Sequence, residues 1–210
     1  MAALIELHSS RSGFPAVNSP TEFTASDDAL VRAAQRGDRP AFSLLYARYA
    51  RMIHGILLSR VPYSDVDDLV QDVFLRALPR LSSLREVSKF PGWLAAIARN
   101  RATDFHRRAK PHDEFDEHSV NTEAEQPSPS TRLTSHSTAE AHAVLDAICS
   151  LPDSYRETLI LRLVEGMTGP EIAARTGLTH GSVRVNLHRG MQQLREILGR
   201  KAAPLAGGEL

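Results

Sequence analysis

The 210-residue chain contains a single cysteine, Cys149. One thiol can build neither a disulfide framework nor a cysteine-based zinc centre, since both need several. Aromatic residues are sparse, at 6% of the chain. No apolar run approaches the ~18 residues of a membrane span. The first residues lack a basic stretch followed by a hydrophobic one, so the expected compartment is the cytoplasm, with no membrane insertion. No G-x-x-x-x-G-K-[ST] phosphate cradle is present, and no alternation of period two runs long enough for a sheet. Cys149 lies in an apolar helical run and reads as a small packed residue, not a nucleophile. No enzymatic reaction and no cofactor is expected.

A net excess of charge is also missing, with 25 Lys and Arg against 25 Asp and Glu. That balance hides an asymmetry. Residues 24–110 hold 15 basic and 9 acidic side chains, and residues 111–138 hold 1 and 6. Residues 139–210 hold 8 of each, yet within 179–201 the count is 5 to 1. Salt screens charge over ~10 Å, so the local field decides whether a polyanion binds. Two basic segments flank an acidic one.

Helical periodicity divides the chain further. Residues 1–25 have no sustained period and read as a disordered tail. Ser26 supplies a cap and Asp27 and Asp28 the first-turn acids of a helix with Leu30, Val31 and Ala34 inward. Gly37-Asp38 breaks it, and a second stripe runs from Ala41 to Ile56. Ser64-Asp65 marks a further break and cap, after which Val66, Leu69, Val70, Val73, Phe74, Ala77 and Leu78 form a full amphipathic stripe. Pro79 limits that helix. A basic loop containing Pro91-Gly92 leads to another helix from Trp93 to about Arg108. Residues 111–138 are acidic and rich in Ser, Thr and Pro, too polar to offset their ordering entropy, and read as a flexible linker. Helical patterning resumes over 139–199, and 200–210 form a tail. The expected fold is all-α: two small helical domains, over 26–110 and 139–199.

The second domain carries the most specific local signal. Pro170 opens a short helix, Glu171 sits in its first turn, and Ile172-Ala173 pack inward. Gly177 ends it where a positive φ is required. Thr179 can cap a second helix beginning near His180, with Val183 inward; this is a helix-turn-helix. At ~100° per residue, Val183, Leu187, Met191, Leu194 and Leu198 form the packed face. Val185, Arg189 and Gln192 point away, with His188 and Arg184 on one flank. Arg or Gln there can contact base edges bidentately, while Arg195, Arg200 and Lys201 would meet phosphates. Gly190 in mid-helix costs ~1 kcal/mol relative to Ala, and the sequence offers no reason for it.

In the first domain, DVDDLVQDVFLRALPRL followed by FPGWLAAIARNRATDFHRR resembles the conserved domain of sigma-70 family factors. The helix-turn-helix domain resembles their promoter-reading C-terminal domain. Two such domains with only a short linker resemble the extracytoplasmic-function (ECF) group. The resemblance implies a promoter-specificity subunit of bacterial RNA polymerase that reads a −35 element with the second domain and melts the −10 element with the first. Its partners would be core RNA polymerase, promoter DNA and an anti-sigma factor held between the domains.

It also implies site residues. The apolar stripe leaves Asp68, Gln71, Asp72 and Leu75 outside, and this face would dock on the polymerase. In the loop that captures a flipped base, Arg80, Arg85 and Lys89 are candidate phosphate contacts. Trp93 has two readings, packing against the core or stacking on a base. On the following helix Arg99, Asn100, Arg101, Arg107 and Arg108 read as exposed, and basic groups with an amide fit single-strand capture. The −35 reader would comprise His180, Ser182, Arg184, Val185, His188, Arg189 and Gln192. The acidic linker, with Asp113, Glu114, Asp116 and Glu117, would thread the basic clefts of the polymerase. The competing reading of H-D-E-F-D-E-H over 112–118 as a metal cluster is disfavoured, because flexible acidic tracts rarely preorganise a metal. A two-domain regulator that binds duplex DNA without polymerase is the alternative, and it leaves the D-D-L-V-Q-D face unexplained.

Overall fold

A computed structural model of the chain describes residues 25–109 and 141–202, and every regular element among them is helical. The N-terminal tail before residue 25, the acidic linker with its 112–118 stretch, and the last eight residues lie outside them.

Four helices form the first unit. Helix α1 (Asp27–Gln35) starts at Ser26, whose hydroxyl accepts from the Ala29 amide at 3.2 Å. Helix α2 (Arg39–Leu58) is capped by Asp38, which accepts from the Ala41 amide at 3.0 Å. In α3 (Val66–Ala77) the apolar stripe from Val66 to Ala77 is buried at each position, but Leu78, expected as its last member, begins the 3-10 turn beyond the helix end and is 47% exposed. Its start differs from expectation. Tyr63–Asp65 form a 3-10 turn, Asp65 makes no side-chain cap, and the Ser64 hydroxyl donates to Asp65 Oδ2 at 3.0 Å instead. The segment expected as a loop is also more ordered, with 3-10 turns over Leu78–Ser83 and Val87–Lys89. The Gln35 side-chain amide donates to the carbonyls of Leu81 (3.0 Å) and Leu84 (2.8 Å), tying this segment to α1. Helix α4 (Phe90–Ala109) then begins at Phe90 and not at Trp93. Phe90 is fully buried, and Pro91 in a first turn sacrifices no intrahelical bond.

The second unit comprises α5 (141–149), α6 (Asp153–Leu163), α7 (Gly169–Thr176) and α8 (His180–Ala202). Thr168 and Glu171 form a reciprocal capping box on α7: Glu171 accepts from the Thr168 amide at 2.7 Å, and the Thr168 hydroxyl accepts from the Glu171 amide at 3.4 Å. Gly177 has φ +78°, the left-handed conformation that reverses the chain into α8. The Ser182 amide donates to Thr179 Oγ1 at 3.1 Å, so Thr179 caps α8 as its position foretold. Gly190 now has a reason. A Cβ there would lie 3.0 Å from Leu159 Cδ1 and 3.1 Å from Tyr155 Cβ, so its bareness lets α8 press directly onto α6.

The two units also pack on each other, and one hydrophobic core runs through both. Helix α2 meets α6 at Gly55, where a Cβ would come within 2.8 Å of both Leu161 Cδ2 and Glu165 Cγ. Around that contact lies a polar seam. His54 Nδ1 donates to Glu165 Oε1 at 2.7 Å, and both residues are buried. Glu157, only 4% exposed, receives Arg60 Nη2 at 2.9 Å and Arg99 Nη2 at 2.6 Å. Arg156 Nη1 donates to the Ser59 carbonyl at 3.1 Å. Buried charges need such partners, because desolvation is otherwise too costly.

Candidate nucleic-acid interface

Helix α8 is positioned by its packed side. Val183, Gly190 and Leu194 are buried against α6 and α7, which turns the opposite side to solvent. His180, Ser182, Arg184, Val185, His188, Arg189 and Gln192 are all exposed; at ~100° per residue Arg184, Val185, His188, Arg189 and Gln192 lie within one arc of α8, with His180 and Ser182 at its start. The amino-terminal half of a helix held at its cap by Thr179 therefore presents two arginines, two histidines and one valine to solvent.

On α3, Asp68, Gln71 and Leu75 are exposed, and Leu75 is 70% exposed. Leu78, one turn further, is also exposed. Asp72 corrects the sequence reading. It is half-buried, because Arg101 of α4 donates to Oδ2 and Arg76 Nε lies 3.1 Å from both carboxylate oxygens. Burial alone would raise the Asp72 pKa, but hydrogen bonds and charge from Arg101 and Arg76 outweigh it and hold the carboxyl below its ordinary range.

The exposed basic face expected on α4 needs the matching correction. The Arg101 side chain is only 13% exposed, owing to Asp72, and Arg99 is held across the seam by Glu157. Asn100, Arg107 and Arg108 are exposed, with Arg107 Nη2 3.0 Å from Asp104. Arg80, Asn100 and Arg101 line one cleft of about 340 Å³ with Arg76, Ile97, Thr103 and Asp104. Arg85 and Lys89 are exposed outside it, and Lys89 pairs with Glu86 at 2.9 Å. Trp93 is half-buried, packed against the core with its ring centroid 5.9 Å from that of Phe90. Cys149 is half-buried, and burial pushes its thiol pKa up, away from a reactive thiolate.

Sequence reasoning missed the seam itself. His54 sits within the α2 apolar stripe, and Glu157 and Glu165 bracket the apolar run between them. A charged group at each end of such a run was the available signal, but only the fold supplies Arg99, Arg60 and His54 as partners.

A model described as sigma-70 region 2 matches residues 45–112, and one described as sigma-70 region 4 matches residues 141–194. The ECF RNA polymerase sigma-E factor of Haemophilus influenzae is 31% identical over 191 residues, covering 86% of this chain and 97% of that protein. The chain belongs to the sigma-70 family, in its ECF group. The sigma-E factor of Escherichia coli K12 is 33% identical over 189 residues, with 86% and 96% covered. A solved structure, CnrH in complex with the cytosolic domain of CnrY, is similar with a TM-score of 0.57 at 27% identity, covering 84% of this chain and 99% of CnrH. In this sigma factor the region 2 match runs from residue 45 in α2 through α4, and the region 4 match from α5 to residue 194 in α8. A regulator independent of polymerase is not favoured by these relatives. Among the described residues no group of three or more His, Cys, Asp or Glu could hold a metal, and no helix is long and apolar enough to cross a membrane.

Proposed function

We propose that this sigma factor acts in the cytoplasm, docks on core RNA polymerase through Asp68, Gln71 and Leu75, and carries no reaction of its own. The outward face of α8 reads the −35 element. The cleft lined by Arg80, Asn100 and Arg101 receives the displaced −10 strand, with Arg107 and Arg108 on the phosphates. Opening is driven by higher affinity for the unpaired strand than for the duplex. Arg101 serves in two ways, lining the cleft while its guanidinium fixes Asp72 and hence the angle between the docking helix and the melting helix. Regulation is by an anti-sigma factor; the related CnrH structure holds a domain of a second protein.

The observation that carries this reading is the α3 face. A leucine 70% exposed beside the Asp68 carboxylate and the Gln71 amide on a rigid helix offers DNA phosphates nothing to bind, yet it suits a protein partner. The deciding experiment is binding of the full chain to bacterial core polymerase, followed by run-off transcription from a pool of genomic fragments. Tight binding with selective transcripts is the expected outcome. A folded chain that retains duplex DNA without binding core would refute it.

A further inference from the structure

Val185 stands at the centre of the DNA-facing side of α8 and is 41% exposed. With ~100° per residue it lies about half a turn away from the packed positions Val183, Gly190 and Leu194. The other exposed large hydrophobics among the described residues, Tyr63, Leu75 and Leu78, all lie in region 2. Val185 belongs neither to the core nor to the hydrophobics packed against it. A β-branched residue also lowers helix propensity, so the fold gains nothing from a valine here.

The surroundings are shaped for close approach. One turn earlier on the same side is Gly181, where a Cβ would meet only Thr179 Oγ1 at 3.9 Å, so the missing side chain leaves the surface low. One turn later comes Arg189, with Arg184 and His188 on the flank, all exposed. Two arginines and a histidine thus flank a small apolar centre and can hold it in a fixed register against a groove.

Major-groove base edges present donors and acceptors, with a single apolar feature, the C5 methyl of thymine. A valine pressed onto any other edge would desolvate a donor or acceptor and offer it no partner. Building on the −35 reading above, we infer that Val185 is a specificity determinant that selects thymine at one position of the −35 element through its methyl group. Cytosine is rejected there because it lacks the methyl and leaves its N4 amine unpaired.

The test uses a promoter recovered by the run-off experiment and the full chain assembled with core polymerase. Each thymine of the −35 element is replaced in turn by deoxyuridine, which removes the methyl alone. At one position the wild-type holoenzyme loses affinity about four-fold, the factor one buried methyl supplies. Val185→Ala, at an exposed site outside the hydrophobic core, binds the two templates equally. At that position cytosine weakens wild-type binding and 5-methylcytosine recovers part of it. Selective transcription in which no thymine methyl distinguishes wild type from Val185→Ala would overturn the inference alone. Absence of any selective transcript would overturn it together with the sigma-factor reading.

Discussion

Replacing Gly55 by alanine adds one carbon where α2 meets α6, and that carbon has no room. It would lie 2.8 Å from Leu161 Cδ2 and from Glu165 Cγ, about 0.7 Å inside the ~3.5 Å at which carbon contacts become favourable. Leu161 is fully buried, and the carboxylate of Glu165 is engaged by His54 and Arg51, so neither side chain can swing aside. Helix α6 must retreat. Overpacking of this kind costs about 1–3 kcal/mol. The same substitution removes a glycine from the interior of α2 and raises its helix propensity by about 1 kcal/mol. The two effects fall in different places: region 2 gains while its contact with region 4 loses. A seam weakened by about 1–3 kcal/mol shifts the closed-to-open equilibrium roughly 5- to 150-fold. Small-angle scattering of the free chain should then give a larger radius of gyration, while circular dichroism shows helix content retained. An unchanged scattering profile with unchanged dichroism would mean that Gly55 does not hold the two regions together.

The Glu157 carboxyl is held below its ordinary value of 4.5, because hydrogen bonds and charge from Arg99 and Arg60 outweigh the upward push of burial. A depressed folded-state pKa gives stability that is full above the ordinary value and is lost as pH falls through the depressed one, so the closed form should loosen only in that acid range. Glu157→Gln should weaken closure by about 3–5 kcal/mol at neutral pH and flatten the acid branch of a scattering titration; an unaltered titration would refute the pairing. Changing Asp68 and Gln71 together to Ala should weaken core polymerase binding at least ten-fold, an expected loss of about 1.4 kcal/mol or more. Equal affinity in a binding titration would remove α3 as the docking face. Gly190→Ala gains about 1 kcal/mol of propensity but meets Leu159 and Tyr155 at 3.0–3.1 Å. The melting temperature of region 4 should therefore fall, and a rise would show that α6 yields freely.

The faces that meet solvent were legible because they depend on one helix at a time. The spacing of Val66, Leu69, Val70, Val73 and Phe74 determines which side of α3 is buried, and therefore that Leu75 is not. The same local geometry, with Gly177 turning the chain and Thr179 capping α8, aims Arg184, Val185 and Arg189 outward. The capping box of Thr168 and Glu171 was equally written in the sequence as T-x-x-E before an apolar pair. What periodicity cannot see is a second element placed over an outward face. Arg99 is outward on α4 by every local criterion, and it is captured by Glu157, 58 positions away in the chain. Arg101 is captured by Asp72, 29 positions away, for the same reason. The glycines mark the boundary between the two kinds of information. A glycine inside a helix is a readable cost, and Gly190 was conspicuous on that ground. The atoms that make the cost worthwhile, those of Leu159 and Tyr155 at Gly190 and of Leu161 and Glu165 at Gly55, belong to another helix. Gly199 of the same helix α8 has nothing within 4 Å, so an interior glycine raises the question of a close approach and only the fold answers it.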